Sequence, residues 1–131
     1  MRLDFMTIKN ENKKILLIES DQVLSQSLIR MLNKEDYNLV FHKNLEKAIC
    51  DLKTKHFDTI IFGLNQPFTN SIDSLNHLQS LSGIPEIIVL SSFNLDEIKS
   101  AFQSRLINNI LIKPIKKETL LDCISNIKTF A

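Results

Sequence analysis

The chain has 131 residues, of which 44% are hydrophobic and 24% charged, and its formal net charge is +1. These values are close to those of soluble globular proteins, and the length suits one domain built around one core. The Lys and Arg residues are scattered, and no apolar run reaches the roughly 18 residues of a membrane span. We therefore expect neither direct nucleic-acid binding by this segment nor membrane insertion.

The two ends of the chain and its cysteines suggest a simple organisation. The first residues are polar and carry no apolar signal region, so we predict a flexible lead-in over residues 1–12 and one domain over residues 13–131. Cys50 and Cys123 lie within apolar periodic stretches, which predicts that both are buried as small hydrophobic residues. This cysteine usage indicates a reducing, cytoplasmic location.

Five short apolar runs are predicted to be β-strands. They cover residues 15–18, 39–41, 59–62, 87–90 and 110–112. Most of these runs lack alternation between apolar and polar residues, which is typical of strands that helices cover on both faces of a parallel sheet.

The segments between the strands carry apolar residues at helical spacing, as in Leu45, Ala48 and Leu52. Asn44 and Asn94 stand where helix N-caps belong. Strand and helix then alternate five times, which predicts an α/β, flavodoxin-like fold: a doubly wound five-stranded parallel sheet, order 2-1-3-4-5, with five helices.

Ligands of such sheets bind outside the carboxyl ends of the strands. The residues predicted at that edge are Glu19-Ser20-Asp21 after strand 1, Gly63 after strand 3, Ser91-Ser92 after strand 4, and Lys113-Pro114 after strand 5. Any chemistry of the domain is expected there.

These four places resemble the receiver (phosphoacceptor) domain of two-component response regulators, over about residues 13–130. The motifs that carry the resemblance are ILLIES, FDTIIFGLNQP, IPEIIVLSS and NILIKP. The resemblance implies two acids after strand 1 that hold Mg²⁺ and an aspartate after strand 3 that accepts a phosphoryl group. It also implies a Thr or Ser after strand 4 and a Lys-Pro pair after strand 5.

The sequence departs from that pattern at two of its carboxylates. The register from Asp58 to Pro67 places Gly63 at the phosphoacceptor position, and Ser20 stands at the second acidic position. Glu19 keeps the first acid, and Lys113 keeps the ammonium group. We therefore predict a degenerate phosphorylation pocket with no catalytic residue, no bound metal and no cofactor. Its residues are Glu19, Ser20, Asp21, Gly63, Ser91 and Lys113.

Several interpretations of these residues stay open from the sequence alone. Asp21 either caps the first helix or turns toward the pocket as an alternative metal ligand. Gly63 is either a drifted position or a place where a loop backbone or a ligand approaches closely. Ser91 either keeps the role of the switch hydroxyl or satisfies backbone groups at the strand end. For Lys113 we predict an ion pair with Glu19, because a lone buried cation would be costly.

Apolar residues around the last strand are candidates for an interface. In the resembled family the helix 4–strand 5–helix 5 face makes dimer or partner contacts. The candidates here are Phe102, Ile107, Ile110, Ile112 and Ile115, and the alternative is that most of them belong to the core.

The predicted function is that of an atypical receiver domain that regulates signalling or transcription without phosphorylation. It would act through dimerisation or a protein partner, and it would not be an enzyme, because the three histidines map away from any serine they could activate. The alternative is a small-molecule or residual phosphoryl-binding sensor that uses the crevice at the strand ends.

Overall fold

The computed structural model of the chain describes residues 13–101 and 109–126, and the structural statements below concern these residues. Their strands are β1 (Lys14–Ile18), β2 (Asn38–His42), β3 (Thr59–Leu64), β4 (Ile87–Ser91) and β5 (Asn109–Ile112). Their helices are α1 (Gln22–Lys34), α2 (Leu45–Thr54), α3 (Phe68–Ser80), α4 (Leu95–Ala101) and α5 (Lys117–Asn126). The predicted lead-in over residues 1–12 lies outside the described residues.

The strands form one parallel sheet in the order β2-β1-β3-β4-β5, as predicted. Every residue of β3 and β4 is buried, and so is every residue of β1 after the first. The outer strands β2 and β5 are only partly buried. The missing alternation in the central strands therefore reflects helices on both faces of the sheet.

Successive side chains of a strand point to opposite faces, so the sheet divides the core in two. The face under α2, α3 and α4 includes Leu16, Ile18, Ile60, Phe62, Leu75, Leu78 and Ile98. The face under α1 and α5 includes Ile15, Leu17, Leu28, Leu32, Ile61, Leu120 and Ile124. Glu19 and Gly63 continue the alternation of Leu17 and Ile61, which places both on the α1/α5 side.

Side-chain caps fix the start of three helices. Asp21 accepts a hydrogen bond of 3.1 Å from a first-turn N–H of α1, and Asn44 accepts one of 3.4 Å from α2. At α4, Asn94 accepts from the backbone N–H of Glu97 at 2.9 Å, and the Glu97 carboxylate accepts from the N–H of Asn94 at 3.0 Å. These contacts satisfy N–H groups that a helix leaves unpaired, and they confirm both predicted caps.

The prediction that both cysteines are buried is wrong for Cys50, which is exposed. Helix α2 turns Leu45 and Ala48 into the core, and Cys50 falls outside that apolar stripe. Cys123 is partly buried and packs against the α1/α5 core. None of the helices in the described part of the chain combines the length and apolarity that a bilayer crossing requires.

Candidate functional site

The carboxyl edge of the sheet brings the predicted pocket residues together. The register pairs Ile18 with Phe62, Gly63 with Leu90, and Ser91 with Ile112. Because the strands are parallel, the residues that follow β1 and β5 arrive at the same edge as the end of β3. Glu19, Gly63 and Lys113 therefore meet there.

Glu19 and Lys113 form the ion pair that the sequence predicted. Lys113 Nζ lies 3.4 Å from Glu19 Oε1, and the two side chains are 15% and 0% exposed. The other carboxylate oxygen, Oε2, accepts a 3.0 Å hydrogen bond from the backbone N–H of Asp21. Removing either partner of such a buried pair leaves an uncompensated charge, which is strongly destabilising.

Asn65 completes the contacts of this pair and was missed by the sequence analysis. Its Nδ2 donates to Glu19 Oε2 at 2.6 Å and to Ser20 Oγ at 3.1 Å. Its Oδ1 accepts a hydrogen bond from Lys113 Nζ. The backbone N–H of Asn65 donates to Ser71 Oγ at 3.0 Å, which joins the network to α3. Residues two positions apart on an extended chain point to the same face, so the position of Asn65 two residues after Gly63 was a signal that could have placed it in the pocket.

Gly63 is a close-approach position. A Cβ atom at this residue would lie 1.9 Å from Glu19 Oε1 and 2.4 Å from the carboxyl carbon of Glu19. The Glu19 carboxylate thus fills the space that a side chain on β3 would take. The geometry supports a close approach at Gly63, but the approaching group is the side chain of Glu19, which follows β1, and not the loop backbone or ligand considered above.

The hydroxyl of Ser91 is fully buried and engaged locally. It accepts from the backbone N–H of Phe93 and donates to the Phe93 carbonyl, both at 2.8 Å. Ser92 Oγ donates to the carbonyl of Leu64 at 3.2 Å. Both serines therefore satisfy backbone groups at the end of β4. For Ser91 this supports a local structural role over the role of a switch hydroxyl.

Asp21 does not add a metal ligand to the pocket in this arrangement. Its carboxylate caps α1, and only its backbone N–H contacts Glu19. The described residues hold no cluster of three or more His, Cys, Asp or Glu side chains suited to a metal ion.

The interface candidates differ in their burial. Ile112 is 42% exposed, whereas Ile110 and Ile115 are partly buried and pack against the two halves of the core. Phe102 and Ile107 lie outside the described residues. On the described part of this face, Ile112 is thus the candidate with the most exposed apolar surface.

A small cleft opens beside Gly63, on the side of α2 and α3. Its volume is about 170 Å³, and Ser20, Lys43, Asn65, Gln66 and Asn70 are among its lining residues. Ligand pockets for drug-sized molecules usually enclose about 300–1,000 Å³. The cleft therefore has room only for a small group.

A second polar contact lies at the end of β2. The ring Nε2 of His42 is 2.6 Å from Asp51 Oδ2, and Lys55 Nζ is 3.3 Å from Asp51 Oδ1. The hydrogen bond from His42 is the main cause that lowers the pKa of the Asp51 carboxyl below its ordinary value of 3.8. This contact ties the end of β2 to α2, and the backbone carbonyl of His42 accepts a hydrogen bond from the N–H of Glu19 at 3.2 Å.

Comparison with known proteins gives a consistent set of relatives. The family model described as "Response regulator receiver domain" matches residues 15–125. The cell cycle transcriptional regulator CtrA of Caulobacter vibrioides is 28% identical over 109 residues, which are 82% of this chain and 47% of that protein. The chain thus spans about half the length of the curated relatives it matches.

Solved structures share the fold at low sequence identity. The chemotaxis protein CheY4 of Vibrio cholerae superposes with a TM-score of 0.75 at 21% identity, covering 89% of this chain and 99% of that one. The response regulator TrrA of Thermotoga maritima, solved with Mg²⁺ and BeF, gives a TM-score of 0.73 at 17% identity, covering 88% and 99%. Likeness at this level of identity concerns the fold alone.

Proposed function

This chain belongs to the response regulator receiver domain family, and we propose that it signals through protein contacts without being phosphorylated. The observation that carries the proposal is the arrangement at Gly63. Gly63, the second-last residue of β3, has no side chain that could act as a nucleophile, and the Glu19 carboxylate occupies the space beside it. Glu19 itself has a fully buried side chain, so it offers no accessible oxygen to a phosphodonor.

The Mg²⁺ ion that the family implies does not fit the residues present. Mg²⁺ prefers octahedral oxygen ligands and keeps several waters, which requires carboxylate oxygens open to solvent. Glu19 Oε2 already accepts two hydrogen bonds, and Oε1 faces the Lys113 ammonium. Ser20 supplies a hydroxyl in place of a second acid. No step of the proposed function is therefore routed through a metal.

The engagement of Ser91 supports the same proposal. Its hydroxyl is held by the backbone of Phe93 and takes no part in the Glu19, Asn65 and Lys113 network. Ser91 is joined to the pocket through its backbone, since its carbonyl accepts from the N–H of Lys113 at 2.8 Å. Among the described residues, no side chain of the Glu19, Asn65 and Lys113 network bonds to the Ser91 hydroxyl, so a change in these side chains has no direct hydrogen bond through which to turn it. We propose that the domain keeps one conformation and is not an enzyme.

We further propose that this conformation presents a surface for dimerisation or for a protein partner, in signalling or in the regulation of transcription. The curated relatives are transcriptional regulators longer than this chain, and a role in the regulation of transcription is proposed on that ground. The proposed surface is the α4–β5–α5 face, and it is supported by the exposure of Ile112 at the end of β5. Exposed apolar side chains beside an edge strand favour interaction.

Phosphorylation is tested by incubating the protein with acetyl phosphate and Mg²⁺ and measuring its intact mass. A phosphorylatable receiver domain treated in parallel provides the positive control. The proposal predicts no gain of a phosphoryl group and no amide shift around Gly63 with Mg²⁺ and beryllofluoride. Stoichiometric labelling of the chain would overturn it.

The surface is tested by light scattering of the wild type and of the Ile112→Lys variant. Val23→Lys is a matched control, because Val23 is an exposed apolar residue on α1. If the domain self-associates through the proposed face, Ile112→Lys lowers the mean mass and Val23→Lys does not. Equal effects of the two substitutions would refute this choice of surface.

A second candidate function is the sensing of a small polar molecule in the cleft beside Gly63. It is favoured by the polar side chains among the lining residues and by Lys43, an exposed cation at the rim of the cleft. A thermal-shift screen with nucleotides and small metabolites tests it. Flat results throughout, or stabilisation that survives the Lys43→Ala substitution, would remove this candidate.

A further inference from the structure

The pocket at the carboxyl edge contains a cation that the chain itself supplies. Lys113 Nζ lies 3.4 Å from Glu19 Oε1 and donates to Asn65 Oδ1. Its side chain is 15% exposed, so the ammonium group has lost most of its contact with water. Its recorded contacts are with the Glu19 carboxylate and the Asn65 amide oxygen.

The two oxygens of Glu19 make unequal contacts. Oε2 accepts from the backbone N–H of Asp21 and from Asn65 Nδ2, at 3.0 and 2.6 Å. Oε1 is buried, has no hydrogen bond among the described residues, and has its charge contact with the Lys113 ammonium. A buried carboxylate oxygen without a hydrogen bond depends on a nearby cation to offset its desolvation. In this pocket the cation beside Oε1 is the Lys113 ammonium group.

Gly63 keeps Glu19 in this position. The carboxylate lies where the Cβ of any other residue at position 63 would stand. The Glu19 side chain is long enough for its carboxylate to reach the space over β3. The glycine on β3 and the glutamate that follows β1 therefore form a matched pair.

We infer that the Lys113 ammonium is the resident cation of this pocket, taking the place of a divalent metal ion beside Glu19, and that the Glu19–Gly63 pair holds the carboxylate against it. The inference rests on the proposed phosphorylation-independent function. It adds that Lys113 neutralises Glu19, the acid that remains in the pocket. Its consequence is specific: removal of Lys113 leaves a buried carboxylate and the Asn65 amide oxygen without their cation, with the Ser20 hydroxyl hydrogen-bonded to Asn65 beside them. Oxygen groups of this kind suit Mg²⁺ or Mn²⁺.

The test compares metal binding by the wild type and by Lys113→Ala. Mn²⁺ is the probe, because it broadens the amide signals of nearby residues, and Mg²⁺ titrations of the thermal midpoint accompany it. We expect the wild type to show no localised broadening at Ser20 and Asn65 and no Mg²⁺-dependent rise of the midpoint. Lys113→Ala should gain both.

Two further variants control the interpretation. Lys116→Ala removes a nearby exposed lysine and should behave as the wild type, which excludes a general effect of charge. The double variant Glu19→Gln/Lys113→Ala should lose the metal response again, because the carboxylate is gone. A Lys113→Gln variant keeps a donor for Asn65 without the charge, and should also gain the response.

Two results would overturn the inference. One is Mn²⁺ broadening at Ser20 and Asn65 in the wild type, since the metal would then bind with the ammonium in place. The other is a Lys113→Ala variant without any metal response; if that variant is unfolded, the test becomes recovery of its folded signals with Mg²⁺, and no recovery counts against the inference. Either result leaves the proposed function standing, because that is judged by acetyl phosphate labelling of the wild type.

Discussion

Substitution of Gly63 by Ala tests the central contact of the site, because two physical effects predict opposite signs. Glycine inside a strand usually costs about 0.5–1 kcal/mol relative to alanine, so the exchange alone should stabilise the protein. Against this, the new Cβ would lie 1.9 Å from Glu19 Oε1 and must displace the carboxylate. The structure therefore predicts destabilisation.

The magnitude follows from the ion pair that would be disturbed. Charges 3.4 Å apart attract by about 5 kcal/mol at an effective dielectric constant near 20, and doubling their separation removes roughly half of that. Alanine is more favourable than glycine inside a strand, which offsets part of this loss. We therefore expect Gly63→Ala to lower the free energy of unfolding by about 2 kcal/mol. At this chain length, that lowers the thermal midpoint by roughly 6–10 °C.

The assay is urea unfolding of four proteins that form a double-mutant cycle: wild type, Gly63→Ala, Glu19→Ala and the double variant. Once Glu19 is shortened, alanine at position 63 meets no carboxylate, so its effect should turn neutral or stabilising. The coupling between the two substitutions should be about 2 kcal/mol or more. If Gly63→Ala costs the same in both backgrounds, or leaves the wild type as stable as before, the contact does not constrain this site.

Three further predictions concern other contacts of the molecule. Asn65→Ala should lower the free energy of unfolding by about 1–3 kcal/mol, because it leaves buried groups of the Glu19 network unpaired, and urea unfolding measures it. The lowered pKa of Asp51 means that the unfolded carboxyl binds a proton at higher pH than the folded one, so stability present above pH 3.8 falls as the pH drops through the folded pKa. Unfolding followed from pH 5 downward should show a shallower loss of stability in Asp51→Asn. Burial raises the pKa of the Cys123 thiol, so iodoacetamide should alkylate the exposed Cys50 first, as peptide masses would show.

The fold was predictable because its signals are local. Strands buried on both faces produce continuous apolar runs, helices between them produce stripes at a 3.6-residue period, and the alternation of the two leaves few topologies. Asn44 and Asn94 marked the helix starts for the same reason, since a cap acts within its own first turn. Cys50 was misjudged because adjacent positions on a helix differ sharply in direction, so a place near the apolar stripe does not imply burial.

The site was only partly predictable. The Glu19–Lys113 pair followed from topology and charge, because both residues end strands at the same edge and neither could remain buried alone. Asn65 was missed because an amide carries no net charge and shows no motif of its own. Its role depends on distances between three strands, and these exist only after folding.

Gly63 shows most clearly why a single sequence is insufficient here. Read alone, a glycine at the predicted phosphoacceptor position looks like the loss of a side chain, and Glu19 looks like a retained acid. In the folded chain the two residues complement each other, because the Glu19 carboxylate fills the volume that Gly63 leaves empty. Each residue therefore depends on the other: a side chain at position 63 would collide with the Glu19 carboxylate, and an uncharged residue at position 19 would leave Lys113 without its counter-charge. Introducing an aspartate at position 63 alone should therefore disrupt the pocket instead of producing a phosphoacceptor, which acetyl phosphate labelling of Gly63→Asp would check.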